Sequence, residues 1–292
     1  MQLGKLGVWY FTDGMTATEE AAFAQRVETW GYGALWIPEA FGREAFSHAA
    51  WLLANTKKLV IATGIANIYG RDARAAMSAQ LTLAEQSGGR FLLGLGVSHA
   101  PLVEGVRGHV YTSPVKTMRD YLTAMKSGAP SYASAKPAET PPTVIAALGP
   151  KMLELARTDA DGAHPYLVTP EHTAMARKIL GPDRMLCVEQ KILHQTDPMK
   201  ARNIAREVAK FYLVLPNYRN NLMRLGFSGE EIDGHSDRVL DAIVAWGDID
   251  TIRARIDAHF KAGASHVCIQ PMHPEGKPLP DEALLAELAP SK

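Results

Sequence analysis

Short apolar segments alternate along the chain with longer segments in which apolar residues recur at helical spacing. Apolar runs of roughly four to eight residues are typical of buried strands, and a period of about 3.6 residues is typical of amphipathic helices. The predicted strands are residues 6–11, 34–38, 59–68, 91–97, 143–148, 162–168, 185–194 and 266–271. The predicted helices are residues 18–30, 47–55, 73–87, 114–126, 150–158, 170–180, a helix from 198 onward, and 249–262. This alternation predicts strand–helix units around a parallel, buried sheet.

Proline and glycine mark the ends of the predicted helices. Pro114, Pro170 and Pro198 each follow a residue that can cap a helix, and proline is favoured at the first helical position. Eight units in a chain of 292 residues fit the usual size of one barrel. We therefore expect the α/β class, a (β/α)8 TIM barrel with loop insertions at its C-terminal mouth, as a single domain spanning residues 1–292.

Three stretches depart from the alternation: residues 99–113, 128–142 and 216–247. Long connections in a compact domain are often lids or substrate walls. The Gly, Pro, Ser and Ala content of residues 128–142 fits a disordered connector equally well.

Composition narrows the function classes. Lys plus Arg and Asp plus Glu both number 31, so no net charge attracts nucleic acid or an anionic membrane. Cys187 and Cys268 lie in apolar runs, which predicts buried thiols rather than a disulfide framework. The N-terminus lacks a signal-peptide pattern, and no apolar run is long enough to span a bilayer. We expect a cytoplasmic protein whose partner is a small molecule, with no nucleic acid and no membrane.

The fourth strand ends in glycines followed by polar residues. Gly94 and Gly96 allow a close approach of backbone or ligand, and Ser98 and His99 follow at the expected barrel mouth. Tight packing between strands is the alternative role, and we favour it for Gly94. For Ser98 and His99 we favour ligand contact.

A helix start follows the fifth strand at the same mouth. The segment Leu148, Gly149, Pro150, Lys151 presents backbone amides and the positive end of a helix dipole, which favour an anion. An ordinary strand-to-helix turn is the alternative, because Gly-Pro marks such turns too.

Glu39 ends the second strand, where barrel enzymes keep catalytic groups. Its carboxylate is a candidate for proton transfer or for a hydrogen bond to a ligand, and a salt bridge at the rim is the alternative. Glu189 and Lys191 share one face of the seventh strand, which predicts a buried ion pair.

Four segments in order, TGIANIYGRDA, SGGRFLLGLGVSH, AALGPKMLELA and DGAHPYLVTPEHTA, resemble the luciferase-like superfamily, in particular its coenzyme F420-dependent branch. The resemblance runs nearly from end to end, and SGGRF followed by GLG is its most diagnostic part. It implies an oxidoreductase that transfers a hydride between F420 and a small substrate, with FMN as the alternative cofactor. A homodimer is also expected.

The resemblance implies roles for further residues. Gly64, Ile65 and Asn67 occupy the place where family members carry a bulge against the cofactor ring, and Asn67 could instead be part of a plain turn. The anion site at Leu148–Lys151 would hold the cofactor phosphate, and Glu39, Val97, Ser98 and His99 would contact the cofactor. Related sugar-phosphate dehydrogenases carry histidine after the acidic residue, but Ala40 follows Glu39 here, which leaves the proton donor unassigned.

Several aromatic and histidine residues are candidates for the substrate pocket: Phe11, His109, Tyr111 and Tyr166. His164 is a catalytic candidate beside Glu39, although a lone histidine is more often structural.

Three other functions compete with F420-dependent hydride transfer. The first is an FMN-dependent monooxygenase on the same barrel. The second is a metal-dependent hydrolase, but such barrels need a His-x-His pair on the first strand, where residues 8–11 offer no ligand, so no metal is expected. The third is a cofactor-binding barrel without catalytic activity.

Overall fold

A closed barrel of parallel strands forms the centre of the computed structural model, which describes residues 1–290. The strands are β1 (Leu6–Trp9), β2 (Ala34–Ile37), β3 (Val60–Thr63), β4 (Ala66–Asn67), β5 (Phe91–Gly96), β6 (Thr143–Ile145), β7 (Gly162–Ala163), β8 (Met185–His194), β9 (Val244–Gly247) and β10 (His266–Met272). Eight of them pair in the order β1-β2-β3-β5-β6-β7-β8-β10, and β10 pairs back to β1. β4 extends β3 along β5, and β9 adds to the end of β8. The predicted TIM barrel is confirmed.

Helices surround the barrel. They are α1 (Ala17–Thr29), α2 (Ala45–Asn55), α3 (Ala73–Gln86), α4 (Pro114–Gly128), α5 (Pro150–Asp159), α6 (Pro170–Leu180), α7 (Pro198–Tyr212), α8 (Pro216–Arg224), α9 (Gly229–Asp233), α10 (Asp237–Ile243), α11 (Ile249–Lys261) and α12 (Glu282–Glu287). Proline occupies the first turn of α4, α5, α6, α7 and α8, where its missing N–H costs nothing. No helix within residues 1–290 is both long enough and apolar enough to cross a membrane.

Two packed regions flank the barrel wall. The larger apolar core lies between the strands and the helices and includes Phe23, Leu52 and Phe91. The smaller one contains Trp9, Trp36 and both cysteines, among residues that the strands direct inward. Both cysteines are free and buried, as predicted. Burial raises the pKa of the Cys187 thiol to about 12, so this thiol stays protonated at neutral pH.

The prediction of a long loop for residues 216–247 is wrong. The structure forms α8, α9, α10 and β9 there. Tyr218, Asn221 and Leu222 are buried on one face of α8, and Leu222 and Tyr218 pack into a separate apolar cluster with α7 and α10. The aromatic and polar composition concealed this helical spacing.

The other two long connections lie at opposite ends of the barrel. Residues 99–113 follow β5 at the mouth and include a π-helical turn, Pro101–Val106. Residues 128–142 lead from α4 into β6 at the far end, and none of these fifteen residues lines the mouth cavity. The expectation that residues 128–142 form a substrate wall is therefore wrong.

Candidate active site

One large cavity of about 1290 Å³ opens where the carboxyl ends of the barrel strands meet. Its lining comes from the segments that directly follow β1, β2, β3, β5, β6 and β7, together with α7 and α8. The lining is mostly apolar, and a small number of polar groups converge on it. A cavity in this position is typical of barrel enzymes, whose sites are built from these loops.

All but two of the residues predicted for the site line this cavity. Those that line it are Phe11, Glu39, Gly64, Ile65, Val97, Ser98, His99, Tyr111, Leu148, Gly149, Pro150, Lys151, His164 and Tyr166. The exceptions are Asn67 and His109. The structure therefore brings together residues that lie as far as 155 positions apart in the sequence.

His164 is a buried imidazole at the base of the cavity. Its Nδ1 lies 2.8 Å from the carbonyl oxygen of Cys187, which can only accept, so Nδ1 carries the proton. Burial lowers the pKa of His164 to about 4, so the ring is neutral at physiological pH. Its Nε2 is then a bare acceptor, and this buried nitrogen has no hydrogen-bond partner among residues 1–290. A buried acceptor on a cavity wall is suited to an N–H or O–H of a ligand.

The wall beside His164 is built from a close approach of backbone and side chains. The peptide bond between Gly64 and Ile65 is cis, and Trp9 Nε1 donates to the Gly64 carbonyl at 3.0 Å. A Cβ atom on Gly64 would lie 2.6 Å from Trp9 Nε1 and 3.0 Å from His164 Nε2. Only glycine leaves room here, so the chain places backbone rather than a side chain at the cavity wall.

The glycines of β5 have two different neighbours. A Cβ atom on Gly94 would lie 2.0 Å from the Thr63 carbonyl oxygen, which confirms the predicted packing between strands. A Cβ atom on Gly96 would lie 2.4 Å from Ile65 Cδ1. Gly96 therefore provides the space in which the Ile65 side chain sits against the cavity.

The predicted proton-transfer role of Glu39 is not supported by its contacts. Arg71 binds both carboxylate oxygens, and the backbone N–H of Asn67 donates to Oε2 at 2.7 Å. The Glu39 backbone N–H also donates to the Ile65 carbonyl at 3.2 Å. Glu39 thus holds the segment from Ile65 to Asn67 in place, and the ion-pair alternative describes it better.

Asn67 and His109 were predicted to contact a ligand, but neither residue lines the cavity. The side chain of Asn67 is buried away from the cavity, and its Oδ1 accepts from the Tyr69 backbone N–H at 3.0 Å, so the turn alternative holds. His109 is exposed on the connection after β5, with its ring centroid 5.9 Å from that of Tyr69. Neither lies where it could contact a ligand in the cavity.

The start of α5 forms one end of the cavity. Gly149 is the N-cap residue and has no side chain that could cap the first-turn amides. His172 Nε2 donates to the Leu148 carbonyl at 2.9 Å, because a carbonyl oxygen can only accept, and burial lowers the pKa of His172 to about 4. The Arg224 guanidinium lies close to Gly149 and also lines the cavity. Helix amides and a nearby guanidinium favour an anion at this end.

α7 and α8 supply one wall of the cavity, and the sequence analysis predicted none of its residues. Phe211, Tyr212, Leu215 and Tyr218 line the cavity, and the Tyr218 ring lies 5.7 Å from that of His99. Pro216 at the first turn and buried positions three and four residues apart were signals for this helix. The aromatic side chains make this side of the cavity apolar.

The buried ion pair predicted on β8 is confirmed. Lys191 Nζ lies 3.1 Å from Glu189 Oε1, and both side chains are almost fully buried. Lys191 also donates to the hydroxyl of Tyr166, a residue of the cavity lining, at 2.7 Å. The pair is therefore connected to the cavity wall.

Comparison with known proteins identifies the family of this chain. Residues 2–180 match the family model described as luciferase-like monooxygenase, which covers more than half of the 292 residues. The chain belongs to the luciferase-like monooxygenase family. As a member of this family it is an oxidoreductase.

Other similarities to this luciferase-like protein extend over the whole chain. A protein of Mycobacterium tuberculosis named a coenzyme F420-dependent oxidoreductase is 25% identical over 92% of this chain and 94% of that protein. The structure of an F420-dependent secondary alcohol dehydrogenase with an F420–acetone adduct has a TM-score of 0.78 at 16% identity, covering 97% of both chains. The FMN complex of the oxygenating constituent of 3,6-diketocamphane monooxygenase from Pseudomonas putida has a TM-score of 0.71 at 14% identity, covering 98% and 96%. These two structures show a shared barrel fold.

Proposed function

We propose that this luciferase-like protein is an F420-dependent oxidoreductase that moves a hydride between coenzyme F420 and a small organic substrate. The observation that carries the proposal is a single cavity with an uncapped helix start at one end and the unpaired Nε2 of His164 at its base. The F420-dependent relative that matches almost the whole chain supports the choice of cofactor.

The residues present fit a cofactor with a planar ring and a phosphate. Gly64, where no side chain projects, and the apolar side chain of Ile65 line the cavity with Trp9 beside them and offer a surface for a ring. The amides at the start of α5 offer hydrogen bonds to a phosphate. The cavity of about 1290 Å³ exceeds the usual range of roughly 300–1,000 Å³ for one small ligand, which leaves space for a substrate beside a cofactor.

F420, when bound, supplies or accepts a hydride through its deazaflavin ring. The chain's own residues bind, orient and exclude water. His164 accepts a hydrogen bond at Nε2, and Phe11, Phe211 and Leu215 give the cavity apolar lining that excludes water. Orientation of two reactants in a dry cavity accounts for a large part of catalysis in such sites.

FMN is the second candidate cofactor. The FMN-bound structural neighbour has the same barrel, and the α5 site would hold the phosphate of either cofactor. With FMN the protein would act as a monooxygenase, since a reduced flavin can react with oxygen.

Gly149 variants test the phosphate site. In Gly149→Asp, the carboxylate takes the N-cap position, accepts from the first-turn amides itself and repels a phosphate. We expect F420 affinity, measured by titration calorimetry, to fall at least about 100-fold, equivalent to about 2.7 kcal/mol. Gly149→Ala is the matched control, because its Cβ would meet only the Arg224 guanidinium at 3.6 Å, an ordinary contact. Equal affinity of Gly149→Asp and Gly149→Ala would show that the phosphate binds elsewhere.

A further inference from the structure

A chain of hydrogen bonds runs from the barrel interior to the cavity. The Lys191 ammonium donates to the Tyr166 hydroxyl at 2.7 Å, and the Tyr166 and Tyr212 hydroxyl oxygens are 2.8 Å apart. Lys191 is almost fully buried, while Tyr166 and Tyr212 are partly exposed and line the cavity. We call Lys191, Tyr166 and Tyr212 the hydroxyl relay.

We propose that the hydroxyl relay delivers the proton that accompanies hydride transfer to a carbonyl substrate, with Tyr212 as the residue that gives it to the substrate oxygen. This inference rests on the proposed function, because F420 is the source of the hydride. It assigns the proton donor that Glu39 cannot provide while it is bound to Arg71.

All three N–H donors of Lys191 are used. Besides Tyr166 they reach Glu189 Oε1 at 3.1 Å and Gln270 Oε1 at 2.8 Å. Glu189 Oε2 accepts from the Leu167 backbone N–H at 2.8 Å, so the carboxylate is fixed as well. Burial lowers the pKa of Lys191, which makes its proton easier to give away.

The Tyr166 proton has two possible acceptors. Gln270 Oε1 lies 3.0 Å from the Tyr166 oxygen, and the Tyr212 oxygen lies 2.8 Å from it. When Tyr166 donates to Gln270, Tyr212 can donate to Tyr166 and presents a lone pair to the cavity. When Tyr166 donates to Tyr212, the Tyr212 proton is free to point into the cavity. Rotation of two hydroxyls therefore changes Tyr212 from an acceptor to a donor.

The carbonyl carbon gains a hydride with both electrons of the new C–H bond from the reduced deazaflavin, which is thereby oxidised by two electrons. The C=O π pair moves to the oxygen, which takes the proton of Tyr212. Tyr212 takes the proton of Tyr166, Tyr166 takes one from Lys191, and Lys191 is left as a neutral amine. After product release, water would return one proton to Lys191 along the same hydroxyls, and the hydroxide so formed would take up the proton that the deazaflavin loses on oxidation. Alcohol oxidation is the reverse.

Both single tyrosine variants and their combination test the relay. F420 affinity is measured first for each protein by calorimetry. Single-turnover oxidation of reduced F420 is then followed with the ketone or aldehyde that the wild-type protein reduces fastest from a panel. Tyr212→Phe and Tyr166→Phe should each bind F420 within about twofold of wild type and react about 100-fold more slowly, the usual range for loss of a general acid. Because the hydroxyls act in series, the double variant should be no slower than either single one.

A matched control and a second readout separate this role from a structural one. Tyr132→Phe removes another tyrosine hydroxyl, which contacts Thr82 far from the cavity, and should react at the wild-type rate. In a dead-end complex with oxidised F420, isotope-edited infrared spectroscopy of 13C=O cyclohexanone should show a lowered carbonyl stretch that Tyr212→Phe abolishes.

The outcomes are distinct. Failure of wild type to bind F420 would overturn the proposed function and the relay with it. If F420 binds but no carbonyl compound is reduced, or if Tyr212→Phe reacts within about threefold of wild type, the relay is overturned and the proposed function stands.

Discussion

Glu39 lies at the end of a strand, a position that indicates a catalytic role. Its contacts show instead that it holds the segment from Ile65 to Asn67 in place. The strand end was predictable from the apolar run before it, but its partner was not, because Arg71 lies 32 residues further along the chain. Sequence spacing does predict contacts within one strand. The Glu189–Lys191 pair was predicted for that reason, since residues two apart share a face.

The supporting role of Glu39 predicts a stability effect. Glu39→Gln leaves the Arg71 guanidinium without its buried partner, so we expect the free energy of unfolding to fall by about 2–4 kcal/mol in urea titrations. Glu44→Gln is the matched control, because Glu44 binds the same guanidinium with a side chain that is 50% exposed, against 5% for Glu39. Its loss should cost about 1 kcal/mol or less. Equal losses of unfolding free energy in the two variants would show that Glu39 is no more important to Arg71 than Glu44.

Elements with a regular pattern were predicted better than those with an unusual composition. Every strand of the eight-stranded barrel lies inside a predicted strand except for Met272 at the end of β10. β3 and β4 together occupy one predicted strand, which the structure interrupts at Gly64 and Ile65. The peptide bond between these two residues is cis, and the sequence pattern does not reveal it. α8 was missed because polar residues outnumber apolar ones, although its buried face has helical spacing.

α8 should depend on a small number of buried contacts. Leu222 is 1% exposed and packs into the cluster that joins α8 to α7 and α10, whereas Met223 beside it is 49% exposed. We expect Leu222→Ala to lower the free energy of unfolding by about 2–4 kcal/mol and Met223→Ala by less than about 0.5 kcal/mol. Limited proteolysis should cut Leu222→Ala faster within residues 214–230. Equal protection of both variants would show that α8 is not held by this cluster.

Buried neutral histidines couple the stability of the folded protein to pH. Desolvation lowers the pKa of His164, His172 and His266 to about 4 and that of His259 to about 3, from an ordinary value of 6.5. Between these values the unfolded chain binds protons that the folded chain does not. Stability therefore falls as the pH drops from about 6.5 toward 4, with each histidine contributing up to about 1.4 kcal/mol per pH unit.

Urea midpoints measured from pH 7 to pH 4.5 check this dependence. His266→Gln should reduce the slope by about one proton, because glutamine can still donate to Gly4 and accept from Trp36 without titrating. A midpoint that does not vary over this range would contradict the neutral state assigned to these rings.

The barrel and the position of its mouth were predictable because they follow from a repeated pattern over the whole chain. The chemistry at the mouth was less predictable, since it depends on contacts between distant segments, such as His164 with Cys187 and Tyr166 with Tyr212. The choice of cofactor is also a property of the assembled cavity.

A calorimetric titration of the wild-type protein with F420 and with FMN shows whether this cavity holds F420. We expect one F420 bound per chain, at least about tenfold more tightly than FMN, a difference of about 1.4 kcal/mol. Tighter binding of FMN would contradict the assignment of F420, and binding of neither would contradict the proposed function itself.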